Sequence, residues 1–230
     1  PNRPVTSWQP EAVRGHRGRP TLLSNGETFA QLALIVLHGV DDYLARGTAD
    51  EPGSTLLTVL DGLGRRVVEV DFGTPWETVL APEDLDRPVL LGGYHGTWAA
   101  PGGLRARTVS RTGLADEGLT LGAGVVLVPD GCPLTFAGAI TSYLASQTAG
   151  RCGPCRNGLP ALAQSLERVT TGFGGLAETE RLCGLVEGRG ACAHPDGTAR
   201  MVRSALTRFA DEVERHGRGG CSYRSDGWGG

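Results

Sequence analysis

Cysteine placement constrains this chain more than any other feature. Of the six cysteines in 230 residues, four fall between Cys152 and Cys192, with Cys132 and Cys221 on either side. That is too few for a disulfide scaffold, so the clustering marks a site. The pair in Arg151-Cys152-Gly153-Pro154-Cys155-Arg156 sets two sulfurs on one side of a tight loop, within reach of one metal or cluster. Cys192 and His194, in Ala191-Cys192-Ala193-His194-Pro195-Asp196, form a second loop that the fold must bring back to the first.

The pattern after Pro133 supplies such a fold. Apolar residues recur at helical spacing in four stretches: Phe136, Ile140, Tyr143 and Leu144; Leu159, Leu162, Leu166 and Val169; Leu182, Leu185 and Val186; and the set Met201, Val202, Ala205, Leu206, Phe209 and Val213, read as one long helix. Short-looped helices with one apolar face each predict a helical bundle over residues 133–217. Residues 51–132 read differently. Ser54–Leu60 and Arg66–Val70 are strands about an Asp61-Gly62 turn, a short helix follows Thr74-Pro75, and Pro88–Gly92 and residues 118–130 are further strands. This order predicts a small β-grasp-like module and an α+β class. Upstream, Phe29, Leu32, Ile35, Val36 and Val40 predict a helix from Thr28 to about Arg46, ended by Gly47. Residues 1–20 read as extended, and 218–230 as a flexible Gly-rich tail.

Composition removes several functions. The net charge is −3 and no clustered basic face is visible, which argues against nucleic-acid binding. No charge-free apolar run reaches the roughly 18 residues of a membrane span, and no basic start precedes an apolar stretch as in a secretory signal. The chain begins at Pro1 and its one methionine is Met201, so it reads as a piece of something longer.

Three chemistries suit the cysteine loops. Cys-Gly-Pro-Cys is the pair of thioredoxin-type dithiols, but that fold feeds the motif from a strand, whereas here a helix ends near Thr148. Structural zinc would find a Cys₃His set in Cys152, Cys155, Cys192 and His194. An iron–sulfur cluster would use the same sulfurs. Both loops run into helix N-termini, where free N–H groups and the helix dipole favour thiolates, and Arg151 and Arg156 add positive charge that would raise a cluster's potential.

From about Arg17 to His216 the chain resembles the NADH-binding flavoprotein subunit of respiratory complex I and its hydrogenase and formate-dehydrogenase relatives. The family's cluster motif, Glu-Ser-Cys-Gly-x-Cys-x-Pro-Cys-Arg-x-Gly, is matched by Gln147-Thr148-Ala149-Gly150-Arg151-Cys152-Gly153-Pro154-Cys155-Arg156-Asn157-Gly158. The family's distal pattern appears as Cys192, Asp196, Val202, Ser204, Leu206, Phe209, Glu212 and His216.

The resemblance implies the end of a flavin/NADH-binding domain over residues 1–50, a β-grasp domain of the soluble-ligand-binding type and following strand over 51–132, and a bundle holding a [4Fe–4S] cluster over 133–217. It implies Cys152, Cys155 and Cys192 as ligands. Ala149 stands where the family has its first ligand, so the fourth falls to His194, Cys183 or Cys221, with His194 favoured, or the cluster is a three-ligand [3Fe–4S] form. Otherwise Cys132 and Cys183 read as buried thiols and Cys221 as free. Asn25 maps onto a segment that contacts the flavin in the family; the glycine-rich loop for NADH and FMN lies upstream of this sequence. The implied role is electron transfer from NADH through FMN to the cluster and on to a ferredoxin-like or iron–sulfur partner, as a subunit of a larger complex. The expected location is cytoplasmic or peripheral to a membrane complex. A rival reading is a zinc-stapled, non-redox interaction module on the same scaffold.

Overall fold

A computed structural model of the chain describes residues 11–223. The parts of the N-terminal segment and of the Gly-rich tail expected over 1–10 and 224–230 lie outside the described residues.

Helix α1, Gly26–His38, begins where the Asn25 side chain accepts from the Thr28 N–H at 2.8 Å. It stops well short of the expected Arg46, because Gly39 turns at φ +93°. A separate turn of helix, Val40–Leu44, follows. Residues 11–20 are not simply extended, since Glu11–Arg14 is a helical turn. The apolar residues of α1 do not find a core: Phe29, Leu32, Val36 and Leu37 are all exposed. What fastens α1 is polar, with Glu27 Oε1 accepting from the Leu56 N–H at 2.9 Å and Gln31 Nε2 donating to Ser54 Oγ at 3.2 Å.

The sheet contains β1 (Ser54–Asp61), β2 (Gly64–Asp71), β3 (Val89–Leu91), β4 (Thr97–Ala99) and β5 (Val125–Leu127), in the order β2-β1-β5-β3-β4. The β1–β2 hairpin is antiparallel, β1 and β5 run parallel, and β3 is antiparallel to both β5 and β4. The strand expected over 118–130 is confined to β5. The expected helix after Thr74-Pro75 is a 3₁₀ turn, Trp76–Thr78, followed by a helical turn at Pro82–Leu85.

Beyond Pro133 the described chain is helical: α2 (Pro133–Ser146), a π-helical turn at Pro154–Gly158, α3 (Leu159–Thr170), α4 (Leu176–Val186), α5 (His194–Arg208) and α6 (Ala210–Gly217). The long last helix divides in two at Phe209, whose ψ of 37° leaves the helical range. Leu162, Leu166, Met201 and Val202 fill the bundle core, and Leu57, Val59, Trp76 and Val126 fill a second core on the sheet. Trp98 joins the two parts. It lies on β4, is fully buried, and meets Phe136 and Phe209 edge-on at 6.1 and 5.5 Å, while its backbone N–H donates to Ser204 Oγ at 2.7 Å.

The candidate metal centre

The loop after α2 and the loop before α5 meet at one end of the bundle. The Cys152 sulfur accepts from the backbone N–H of Ala191, in the second loop, and from that of Cys155 in its own; both bonds pull its thiol below the ordinary value. Cys155 is buried. Desolvation therefore pushes its thiol up, reinforced by the sulfurs of Cys152 and Cys192, while the Thr148 side chain bonds to it and opposes the shift. Cys192 is exposed. Its loop is closed by Asp196, whose Oδ1 accepts from the Gly188 N–H at 2.8 Å. Two sequence-distant loops are thus linked through the Ala191 N–H, and three thiols sit at one helical end.

His194 opens α5. Its Nε2 lies 3.0 Å from the Leu144 carbonyl oxygen; a carbonyl only accepts, so Nε2 carries the hydrogen and Nδ1 keeps its lone pair. Asn25 belongs to neither loop and acts as the N-cap of α1. Cys183 lies on α4 within the bundle core, where burial raises its thiol to about 11.

Sequence reasoning missed His95, on the tight loop between β3 and β4. Its ring packs edge-on against His194 with centroids 5.1 Å apart, and its carbonyl accepts from Arg200 Nη2 at 2.8 Å. Burial, with His194 and Arg200 alongside, holds His95 below the ordinary imidazole value. Gly197 makes this packing feasible: a Cβ there would sit 2.6 Å from the His95 ring. Gly-Gly-Tyr-His-Gly reads in sequence only as a turn, so no local signal marks His95.

Four further residues come together away from these loops. Cys132, Glu212, His216 and Cys221 have ligand atoms all within 4.8 Å of one another, the one such set of three or more among the described residues. Cys132 and Cys221, read in sequence as a buried thiol and a free one, are neighbours here. Their separation in the chain hides them from any spacing rule.

A mixed sheet joined to a helical bundle brings a Cys-x-x-Cys loop and a second cysteine loop to one bundle end, a donor arrangement suited to a metal or a cluster. Residues 135–216 match the NADH-ubiquinone oxidoreductase-F iron–sulfur binding region. In Buchnera aphidicola subsp. Schizaphis graminum, the F subunit of NADH-quinone oxidoreductase is 30% identical over 220 residues, covering 88% of this chain and 48% of the relative. The NADP-reducing hydrogenase subunit HndC of Solidesulfovibrio fructosivorans is 28% identical, covering 93% and 46% respectively. An NAD⁺-reducing [NiFe]-hydrogenase crystal structure shares the fold with a TM-score of 0.74 at 24% identity, over 93% of this chain and 38% of that one. Residues 135–216 thus carry the iron–sulfur binding region of that family, and the chain as a whole is similar to the C-terminal part of NADH-binding flavoprotein subunits. It spans about half the length of the curated relatives it matches. Among the described residues, no helix is long and apolar enough to cross a membrane.

Proposed function

We propose that this chain is the electron-transfer module of an NADH-linked flavoprotein, with Cys152, Cys155, Cys192 and His194 holding a [4Fe–4S] cluster. The observation that carries this reading is His194 Nε2 on the Leu144 carbonyl at 3.0 Å, which ties the end of the Cys192 loop to the end of α2, where the Cys-x-x-Cys loop begins. The donor set fits: soft thiolates, a π-helical turn running on into α3, and backbone N–H groups directed at sulfur. His194 suits the position left by Ala149 because its Nδ1 lone pair is free. A bound cluster would supply one-electron storage. The protein's own residues tune and shield it: backbone N–H bonds at Cys152, burial at Cys155, and the exposed guanidinium of Arg156 beside them.

In the intact parent protein the electrons would come from NADH through FMN and leave to a ferredoxin-like or iron–sulfur partner. The exposed apolar residues of α1 support residues 1–50 as the end of a flavin domain, with Asn25 near the flavin. The strand order, with β1 parallel to β5 at its centre, supports a β-grasp module over 51–132. Peripheral, cytoplasmic placement follows from the same reading.

Acid-labile sulfide, iron and EPR of anaerobically purified protein test this. Expected are stoichiometric sulfide, a reduced-cluster signal, and their loss in Cys155→Ser. His194→Ala should change the signal or convert the cluster to a three-iron form. Absence of sulfide from the wild-type protein would overturn the proposal, and an unchanged His194→Ala spectrum would remove His194 as ligand.

A further inference from the structure

We propose that Cys132, Glu212, His216 and Cys221 form a second metal site, a closed tetrahedral one for Zn²⁺, at the opposite end of α2 from the cysteine loops. Cys132 is the residue that caps the start of α2, and Leu144, which touches His194, is near its end. At 1.5 Å of rise per residue, this helix holds the two sites roughly 20 Å apart. They share no ligand.

The set is assembled from three separate segments. Cys132 comes from the turn that follows the sheet. Glu212 and His216, four residues apart on α6, present their side chains on one face, and Cys221 comes from the chain folding back after α6. Cys132 Sγ lies 3.4 Å and Glu212 Oε1 lies 3.2 Å from His216 Nε2. A tetrahedral zinc site with two sulfurs, a nitrogen and an oxygen has ligand atoms about 3.3–3.8 Å apart, which the two distances to His216 already meet and toward which the rest of the set, all within 4.8 Å, would draw in. Glu212 and His216 are both buried, at 5% and 7% exposure; Arg215 Nε is 3.7 Å from Glu212 Oε2, and Oε1 is the oxygen turned to His216.

Protonation makes the case sharper. His216 Nδ1 lies 2.6 Å from the Thr170 carbonyl oxygen, which only accepts, so Nδ1 carries a hydrogen. With the neutral ring, Nε2 then turns a lone pair toward a carboxylate oxygen 3.2 Å away. Two acceptors at that distance need a cation between them. A proton on Nε2 would serve for this pair alone, but it leaves unexplained why two thiols converge on the same point. A divalent ion takes all four donors. A histidine whose other nitrogen is tied to a backbone carbonyl is the usual arrangement of a metal ligand. Ser222 extends this support, its N–H donating to Glu212 Oε1 at 2.8 Å. Two thiolates, one imidazole and one carboxylate in a tetrahedral set select zinc among common divalent ions, and four protein ligands leave no open position, so the site is structural. It would pin α6 and the following segment to the start of α2.

The test uses the whole chain, loaded with Zn²⁺, passed over a chelating resin and analysed for zinc, iron and sulfide. The expected result is one zinc per chain that survives the resin. Cys221→Ser, which alters a partly solvent-facing segment outside the bundle core, should weaken retention by roughly 100-fold or more, because loss even of a ligand's supporting partner costs 10–100-fold. Cys155→Ser should keep this zinc whatever happens to iron and sulfide, which separates this site from the one proposed above. Co²⁺ in place of Zn²⁺ should give intense tetrahedral d–d bands and a thiolate charge-transfer band that vanish in His216→Ala. Zinc washed from the wild type by the resin, or retained equally by wild type and Cys221→Ser, would overturn the proposal; so would zinc lost in Cys155→Ser but kept in Cys221→Ser.

Discussion

Cysteine side chains in this fold differ by their surroundings rather than by their chemistry. Cys192 is exposed, Cys152 has a thiol lowered first by the Ala191 N–H, and Cys183 is fully buried with a thiol raised to about 11. Thiolate is the reactive form, so in cluster-free, metal-free protein near pH 7.5 iodoacetamide should label Cys192 and Cys152 first. Cys183 should stay unlabelled until the bundle unfolds. Peptide mass spectrometry over a labelling time course reads this directly, and Cys183 reacting at the rate of Cys152 would contradict its placement on the core side of α4. At this scale the sequence was readable where donors are close in the chain. Cys152 and Cys155 announce a site by spacing. The set of Cys132, Glu212, His216 and Cys221 does not, because its neighbours are made by the packing of α2 against the end of the bundle. Only the helical four-residue step from Glu212 to His216 could have drawn attention to it. His95 was invisible for the same reason, since a loop between two very short strands carries it to His194.

Element ends carry a second kind of information. The short helix Arg111–Ala115 is capped twice, by Ser110 Oγ accepting from the Gly113 N–H at 2.9 Å and by the distant Glu51, whose Oε1 accepts from the Arg111 N–H at 2.7 Å. Burial of Glu51 works to raise its pKa. The bonds from the Ser110 hydroxyl and from the Arg111 and Thr112 N–H groups outweigh burial and hold it below the ordinary carboxylate value. A carboxyl depressed in the folded state stabilises at pH above its unfolded value, about 4.3, and loses that contribution as pH falls through the folded value. Glu51→Ala should therefore cost about 1 kcal/mol in urea unfolding at pH 7, the size of a lost helix cap. The difference from wild type should shrink below about pH 4.3, as the wild-type carboxyl itself protonates. A gap that stayed constant down to pH 3 would mean that packing, not charge, is what Glu51 contributes. Sequence periodicity found α2, α3, α4 and the β1–β2 hairpin because each has one buried face repeated over several turns or pleats. It missed β4, where Thr97, Trp98 and Ala99 are all buried and leave no alternation to read. It also ran α5 and α6 together, because the apolar spacing continues across Phe209 although the backbone there does not. In α1 the spacing gave the helix correctly but not its surroundings, since its apolar side chains face outward among the described residues.

On the scale of the whole molecule, the question is whether sheet and bundle unfold together. Each has its own core, and three strand side chains, Leu90, Trp98 and Leu127, pack in the bundle's core, Trp98 being the largest of them. Its ring is held edge-on by Phe136 of α2 and by Phe209 at the break between α5 and α6. Its indole Nε1 is buried without a protein partner, so shape and apolar contact, rather than a hydrogen bond, hold it there. Trp98→Ala would leave a cavity at the joint and should cost about 3–5 kcal/mol. The more telling effect concerns cooperativity. Trp76 is fully buried in the sheet core and, with Trp8 and Trp228 replaced by Phe throughout, dominates the fluorescence of the Trp98 variants, whereas far-UV circular dichroism at helical wavelengths reports mainly on the bundle. In the wild type both probes should follow one urea transition, as a single cooperative unit requires. In Trp98→Ala the two midpoints should separate, because the remaining apolar links, Leu90 and Leu127, are smaller and the others, such as Arg200 to the His95 carbonyl and the residue-98 backbone bond to Ser204, are polar. Trp98→Phe keeps an aromatic edge for both partners and should hold the transitions together at an intermediate midpoint. If the Trp98→Ala transitions still coincide, the coupling resides in Leu90, Leu127 and the backbone between β5 and α2 rather than in this ring. In that case β3, β5 and the segment from Pro129 to Cys132, not β4, fix how the cysteine loops sit relative to the sheet.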